Sequence, residues 1–152
     1  MTAGLRAGVP IALLLLLAGP GAGASTSITA PGLIRITDRQ VDYSRVDNGR
    51  RSGAGDVELV TVRLYNPSIR SKPIGHGELV CTFVGSRSRS CNGTYFLPKG
   101  KIVVGGVIGS RLIFEVAVLG GTGLYDNVRG TLTVTATGTR PRRNILLFRL
   151  VA

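Results

Sequence analysis

The 152-residue sequence contains no tryptophan, one histidine and two cysteines, and aromatic residues make up only 5% of it. A lone imidazole, His76, excludes any site built from several histidines of one chain, and two thiols cannot furnish a four-cysteine zinc centre. No metal site is expected. Acids are scarce as well: 8 Asp+Glu face 19 Lys+Arg, giving a formal net charge of +11. Any catalysis must run on a few carboxylates, Arg, Tyr, backbone dipoles or the shape of a pocket. The arginine-rich segments Arg50-Arg51, Arg87/Arg89 and Arg140/Arg142/Arg143 fall in expected turns and carry no interleaved aromatics for base stacking, so nucleic acid is not an expected partner. They read as solvated loop charge, or as a basic rim for an anionic lipid or polymer.

What is present begins with an export signal. Residues 1–24 carry one charge, Arg6, then the apolar run of residues 11–18 (IALLLLLA), a Gly/Pro break, and the small-x-small pattern Ala22-Gly23-Ala24, which reads as a signal peptide cleaved after Ala24. The alternative is an uncleaved anchor, but the apolar core is shorter than the roughly 20 residues a bilayer span needs. Arg111 and Glu115 interrupt the best later run, so no transmembrane segment is expected. Residues 25–32 form a Ser/Thr/Pro/Gly lead, and residues 33–152 form one domain. Its 43% apolar content is above that of a disordered chain and is enough for a single core.

Secretion changes the reading of Cys81 and Cys91. They flank a Gly/Ser/Arg turn, and a hairpin centred near Ser86 places the two sulfurs opposite each other, predicting a disulfide. Two buried thiols or a redox pair are the alternatives, disfavoured because no CxxC spacing or flanking helix lowers a thiol pKa.

Period 3.6 is missing throughout, and period 2 is plain. The segment GTLTVTATG, residues 130–138, alternates Leu132, Val134 and Ala136 with threonines, as a half-buried strand does. Further strands are expected at residues 34–43, 57–65, 78–84, 91–97, 102–107, 112–119 and 145–151. Eight strands without crossover helices predict an all-β, eight-stranded antiparallel barrel, which hides its edges by closing. The last strand, ILLFRLV, is apolar on both faces, which suggests either a buried subunit interface or a central position between the barrel interior and its partner; a homo-oligomer, a dimer or trimer, is expected.

Around Gly120 the chain reads GGTGLYDNVRG, with an alternating strand after it. Gly55-Asp56, Leu64-Tyr65-Asn66, His76-Gly77 and Tyr95-Phe96-Leu97-Pro98-Lys99-Gly100-Lys101-Ile102 occur in order before it. These segments resemble the signatures of allene oxide cyclases, dirigent proteins and secreted bacterial members of that barrel superfamily. The resemblance implies a lipocalin-like interior, often in a trimer, acting on a hydrophobic or phenolic small molecule without a bound cofactor. Such a protein is a cyclase-type isomerase or a guide for radical coupling, and it works by positioning. It also implies a turn built from Gly120, Gly121, Thr122, Gly123, Tyr125 and Gly130, with positive φ at Gly121 and Gly123. Arg129 matches the Arg of the dirigent Ala-Arg-Gly, whereas Val128 departs from it. Asp126 falls in the variable part, so no catalytic aspartate is carried over to it.

Two acids share strand faces with apolar residues: Asp38 with Ile34 and Ile36, and Glu58 with Val60, Val62 and Leu64. Inside a barrel such a carboxyl would be desolvated and suited to proton transfer; at a rim it would be an ordinary solvated charge. Asp38 is the candidate catalytic group, expected to pair with an Arg or Tyr or to stay protonated. Tyr65, Tyr95 and Arg129 are the remaining candidate ligand contacts. Glu115 reads as external and His76 as a loop residue. Asn92-Gly93-Thr94 fits a glycosylation acceptor. The expected function is a secreted small-molecule-binding barrel that steers cyclisation or stereoselective coupling. Its rival is a non-catalytic carrier or surface protein on the same barrel, and an acid facing a tyrosine or arginine inside would favour the enzyme.

Overall fold

The structure is a computed structural model that describes residues 32–49, 53–67 and 72–151. The expected signal peptide, the lead up to residue 31, and Arg50-Arg51 lie outside the described residues. Eight strands run β1 Leu33–Val46, β2 Val57–Tyr65, β3 Gly75–Phe83, β4 Arg89–Leu97, β5 Gly100–Ile108, β6 Ile113–Gly123, β7 Arg129–Ala136 and β8 Arg143–Val151. Each pairs antiparallel with its sequence neighbour, and β1 pairs with β8 to close the barrel. Among the described residues there is no helix.

Period-2 alternation sends Ile36, Val62, Leu64, Ile102, Val104, Leu132, Val134, Leu146 and Phe148 inward as the core. Two bulges break that alternation. Between Gln40 and Asp42 the register against β2 slips by one residue, so the side of β1 that faces in passes from Asp38 and Gln40 to Tyr43. A second slip, between Val103 and Val104 opposite β6, leaves Leu119 as the extra residue.

That second ribbon corrects the reading of the glycine motif. Gly120, Gly121, Thr122 and Gly123 are the end of β6, in register with residues 100–103 of β5; the turn itself is residues 124–128. Gly123 has φ +65°, but Gly121 does not have a positive φ. Gly121 is required for another reason: a Cβ there would overlap the carbonyl oxygens of Tyr125 and Lys101. The motif lets the returning chain press Tyr125 and Val128, both buried, into the barrel end.

Cys81 and Cys91 face each other across β3 and β4 and are joined by a disulfide. The interior is then divided. One end is filled by Phe148, Leu64, Ile102 and Val128, all essentially inaccessible, with the Tyr95 ring edge-on to Phe148 at 5.4 Å. The other end is hollow.

Candidate functional site

The hollow end is a cavity of about 810 Å³ that opens beside the β5–β6 and β7–β8 connections, at residues 109–112 and at Gly138, Thr139, Arg140 and Arg142. This size falls within the roughly 300–1,000 Å³ of small-molecule sites. Apolar walls come from inward positions of β2 and β5–β7, and the disulfide forms part of the wall.

Asp38 lies in this wall, 3% exposed. Its partner is neither an Arg nor a Tyr, as expected, but Asn144 of β8. The Asn144 backbone N–H donates to Oδ1 at 2.8 Å, and the side-chain amide donates to Oδ1 and Oδ2 at 3.0 Å each. Burial raises the carboxyl from 3.8 to about 6, and the two kinds of hydrogen bond from Asn144 offset only part of that rise. An amide partner satisfies an ionised carboxylate without adding a positive charge, so the acid titrates close to neutrality. Tyr95 lines the same cavity, and its hydroxyl bonds to no described residue. Burial, and then the nearby Asp38 charge, push its pKa up, so the phenol stays protonated and can donate.

Nearer the mouth, Glu58 is 8% exposed and doubly engaged. Tyr43 donates its hydroxyl to Oε1 at 2.8 Å, and the Arg89 guanidinium lies 3.2 Å from Oε2. Arg89 was expected in a turn; it opens β4 and points inward, because the β3–β4 connection is tighter than its Ser/Arg composition suggests. Arg143 likewise belongs to β8. The bulge brings Tyr43 to the cavity, and desolvation followed by the Glu58 hydrogen bond raises its pKa.

Two candidates lie elsewhere. Tyr65 is buried but does not line the cavity: the alternation that turns Leu64 inward turns Tyr65 out, where the Arg39 guanidinium sits 5.6 Å over its ring. Arg129 is at the filled end, exposed, donating to the Val128 carbonyl at 2.9 Å. The glycine motif is therefore a base for the barrel, remote from the mouth. Glu115 is on the outer wall, accepting from Thr133 and paired with Arg149. His76 is a strand residue, not a loop residue, stacked on Phe96 at 4.3 Å. Sequence reasoning missed Asn144, Tyr43, Gln40 and the pairing of Arg89; β1 alternation had pointed to Asp38 but gave no sign of the bulge or of the partner strand. Among the described residues there is no metal-ligating cluster of His, Cys, Asp or Glu.

No protein-family model and no curated protein matches the chain. Solved structures do. A pyocyanin demethylase aligns over 78% of this chain and 99% of its own, with a TM-score of 0.67 and 24% identity. A pterocarpan synthase dirigent protein aligns over 78% of this chain and 81% of its own, at 0.61 and 17%. A Diels–Alderase from Streptomyces koyangensis aligns over 78% and 64%, at 0.59 and 17%. At these identities the likeness establishes the fold. The chain has the same closed antiparallel barrel as these structures, a scaffold on which several different reactions are found.

Proposed function

We propose that this chain is a secreted small-molecule-binding barrel that steers cyclisation or stereoselective coupling of a hydrophobic or phenolic substrate, with Asp38 as its proton-transfer group. The observation that carries the reading is a carboxyl, 3% exposed in the wall of an open cavity, whose pKa is raised to about 6. At neutral pH such a group exchanges protons readily in both directions. Ionised, it accepts a phenolic proton; protonated, it donates to a carbonyl or epoxide oxygen. The Tyr95 hydroxyl supplies a second donor, and the apolar walls hold the substrate in one reactive conformation and exclude water. Neighbours that share the barrel are named as a demethylase of pyocyanin, a dirigent pterocarpan synthase and a Diels–Alderase, which supports a positioning role on a small organic molecule.

Export and assembly belong to the same reading. The leader sequence and the Cys81–Cys91 disulfide fit an oxidising compartment. Exposed Leu59, Val80 and Val103 border an outer groove, and a separate outer apolar pair, half-buried Ile145 and Leu147, lies on β8 across β1 from it. These are the surfaces on which two or three copies would meet.

The test uses native mass spectrometry of protein from culture supernatant, for subunit number and retained ligand. It is followed by turnover of that ligand, and by binding of N-phenyl-1-naphthylamine, by wild type, Asp38→Asn and Asp38→Leu. Saturable probe binding by all three, with turnover only in wild type, is expected. No saturable binding overturns the pocket, and turnover surviving in Asp38→Asn removes Asp38 from the chemistry. A retained ligand released unchanged by the wild type favours the carrier.

A further inference from the structure

The cavity carries an imbalance that the proton chemistry does not use. Four arginines line it, Arg89, Arg111, Arg140 and Arg142, against two acids. Both acids are already engaged: Glu58 by Arg89 and Tyr43, and Asp38 by Asn144. Among the described residues, Arg111, Arg140 and Arg142 make no ion pair with any carboxylate. They come from two separate connections, β5–β6 and β7–β8, that converge on one side of the mouth. Inside, the Arg89 Nε is buried without a hydrogen-bond partner. The field of Arg142 reaches the cavity-lining Tyr43 hydroxyl, whose pKa it lowers against the larger opposing effects. Asp38, by contrast, is bonded to Asn144 and forms no ion pair with these arginines, so the cationic mouth and the acid are two distinct polar groups of one cavity.

We infer that the substrate is an amphiphilic anion, an apolar or aromatic body bearing a carboxylate or comparable acidic group, which enters body first and leaves its charge on Arg111, Arg140 and Arg142. Guanidinium groups match carboxylates with paired, directional hydrogen bonds, and low-dielectric walls around a cationic mouth concentrate anions there. The arrangement also sets direction: with the anionic group at the mouth, the apolar part is placed against Asp38 and Tyr95. This rests on the proposed function and specifies its substrate class. A rim that holds an anionic polymer or lipid surface would use the same arginines without the cavity.

Two probes of one skeleton separate these outcomes: 8-anilinonaphthalene-1-sulfonate, which is anionic, and N-phenyl-1-naphthylamine, which is neutral. Calorimetry on the wild type should show roughly tenfold tighter binding of the sulfonate, a sum of partly exposed ion pairs, with the neutral probe displacing it competitively. In a combined Arg111→Gln, Arg140→Gln and Arg142→Gln variant the preference should vanish while neutral-probe affinity stays. Raising salt from 0.05 to about 0.5 M should weaken only the sulfonate. If the neutral probe binds but the sulfonate is not preferred, or the triple variant keeps the preference, the inference falls and the pocket stands. Sulfonate that the neutral probe cannot displace assigns the arginines to a surface and overturns the inference. If neither probe binds, the pocket reading fails, and the inference with it.

Discussion

Below Tyr95 the barrel is packed with Phe148, Leu64, Ile102 and Val128, while above it the inward positions of β1, β2 and β4 include Asp38, Gln40, Tyr43, Glu58 and Arg89. Each large side chain buried in the lower half stabilises the fold by roughly 1.5–3 kcal/mol. The upper half gives up that packing to keep a cavity, and its polar groups are held by one another across strands. One closed sheet thus has a structural base and a working mouth. The glycine motif, residues 120–123, belongs to the base.

The sharpest way to break the comparison is to attack the base. Gly121→Val forces a side chain into the Tyr125 and Lys101 carbonyls, and Gly123→Val adds strain at φ +65°. Each should cost roughly 3 kcal/mol or more, whereas Thr122→Val, exposed between them, loses only the 3.3 Å hydrogen bond that its hydroxyl accepts from the Lys101 N–H and should cost no more than about 1 kcal/mol. Urea unfolding of the three variants decides it; equal, small effects would make the motif a passive loop.

Next comes the acid of the mouth. Asp38 titrates near 3.8 when unfolded and near 6 in the barrel. Between those values the folded protein binds a proton the unfolded chain has released, so this group's favourable contribution is complete below about pH 4 and is lost as pH rises through 6. A displacement of about two pH units corresponds to roughly 3 kcal/mol at most. Stability of the wild type relative to Asp38→Asn should therefore fall by up to that amount between pH 4 and 7. A difference that stays flat across this range would mean the carboxyl is not desolvated.

A smaller effect lies in the wall between the two halves. Removing the disulfide with Cys81→Ser and Cys91→Ser should cost about 2–3 kcal/mol for a loop of this length. The same change should loosen probe binding without abolishing it, since both cysteines line the cavity. Denaturation and probe titration of the double variant under oxidising conditions measure both.

The comparison also shows what a sequence exposes. Alternation of apolar residues with threonine or arginine, punctuated by Gly and Asn turns, was enough for eight strands and their closure. Strand starts at Gly75 and Arg89 escaped because Gly-His-Gly and Ser-Arg-Ser carry no alternation of their own. The inward face of Asp38 and Glu58 was legible, and by the same parity Tyr65 should have been placed outside. The bulge at Gln40–Asp42 gave no signal, which hid Tyr43. Asn144 could not be found, because its role exists only through a strand pairing far away in the chain. Arg129 was drawn toward the ligand by its motif, and nothing local reveals which barrel end is hollow.

The Asp38–Asn144 bonds span 106 residues of sequence, and they cross the seam where the first strand meets the last. Hairpins between neighbouring strands close short loops, but this seam closes nearly the entire chain and carries the largest loop-closure entropy. During synthesis the aspartate is made long before the strand that orients it, and it has no amide partner until β8 arrives. Any chain shortened before Asn144 would therefore lack the seated acid, however many hairpins it formed. Recovery of the near-neutral titration of Asp38 during refolding would time the completion of the ring itself.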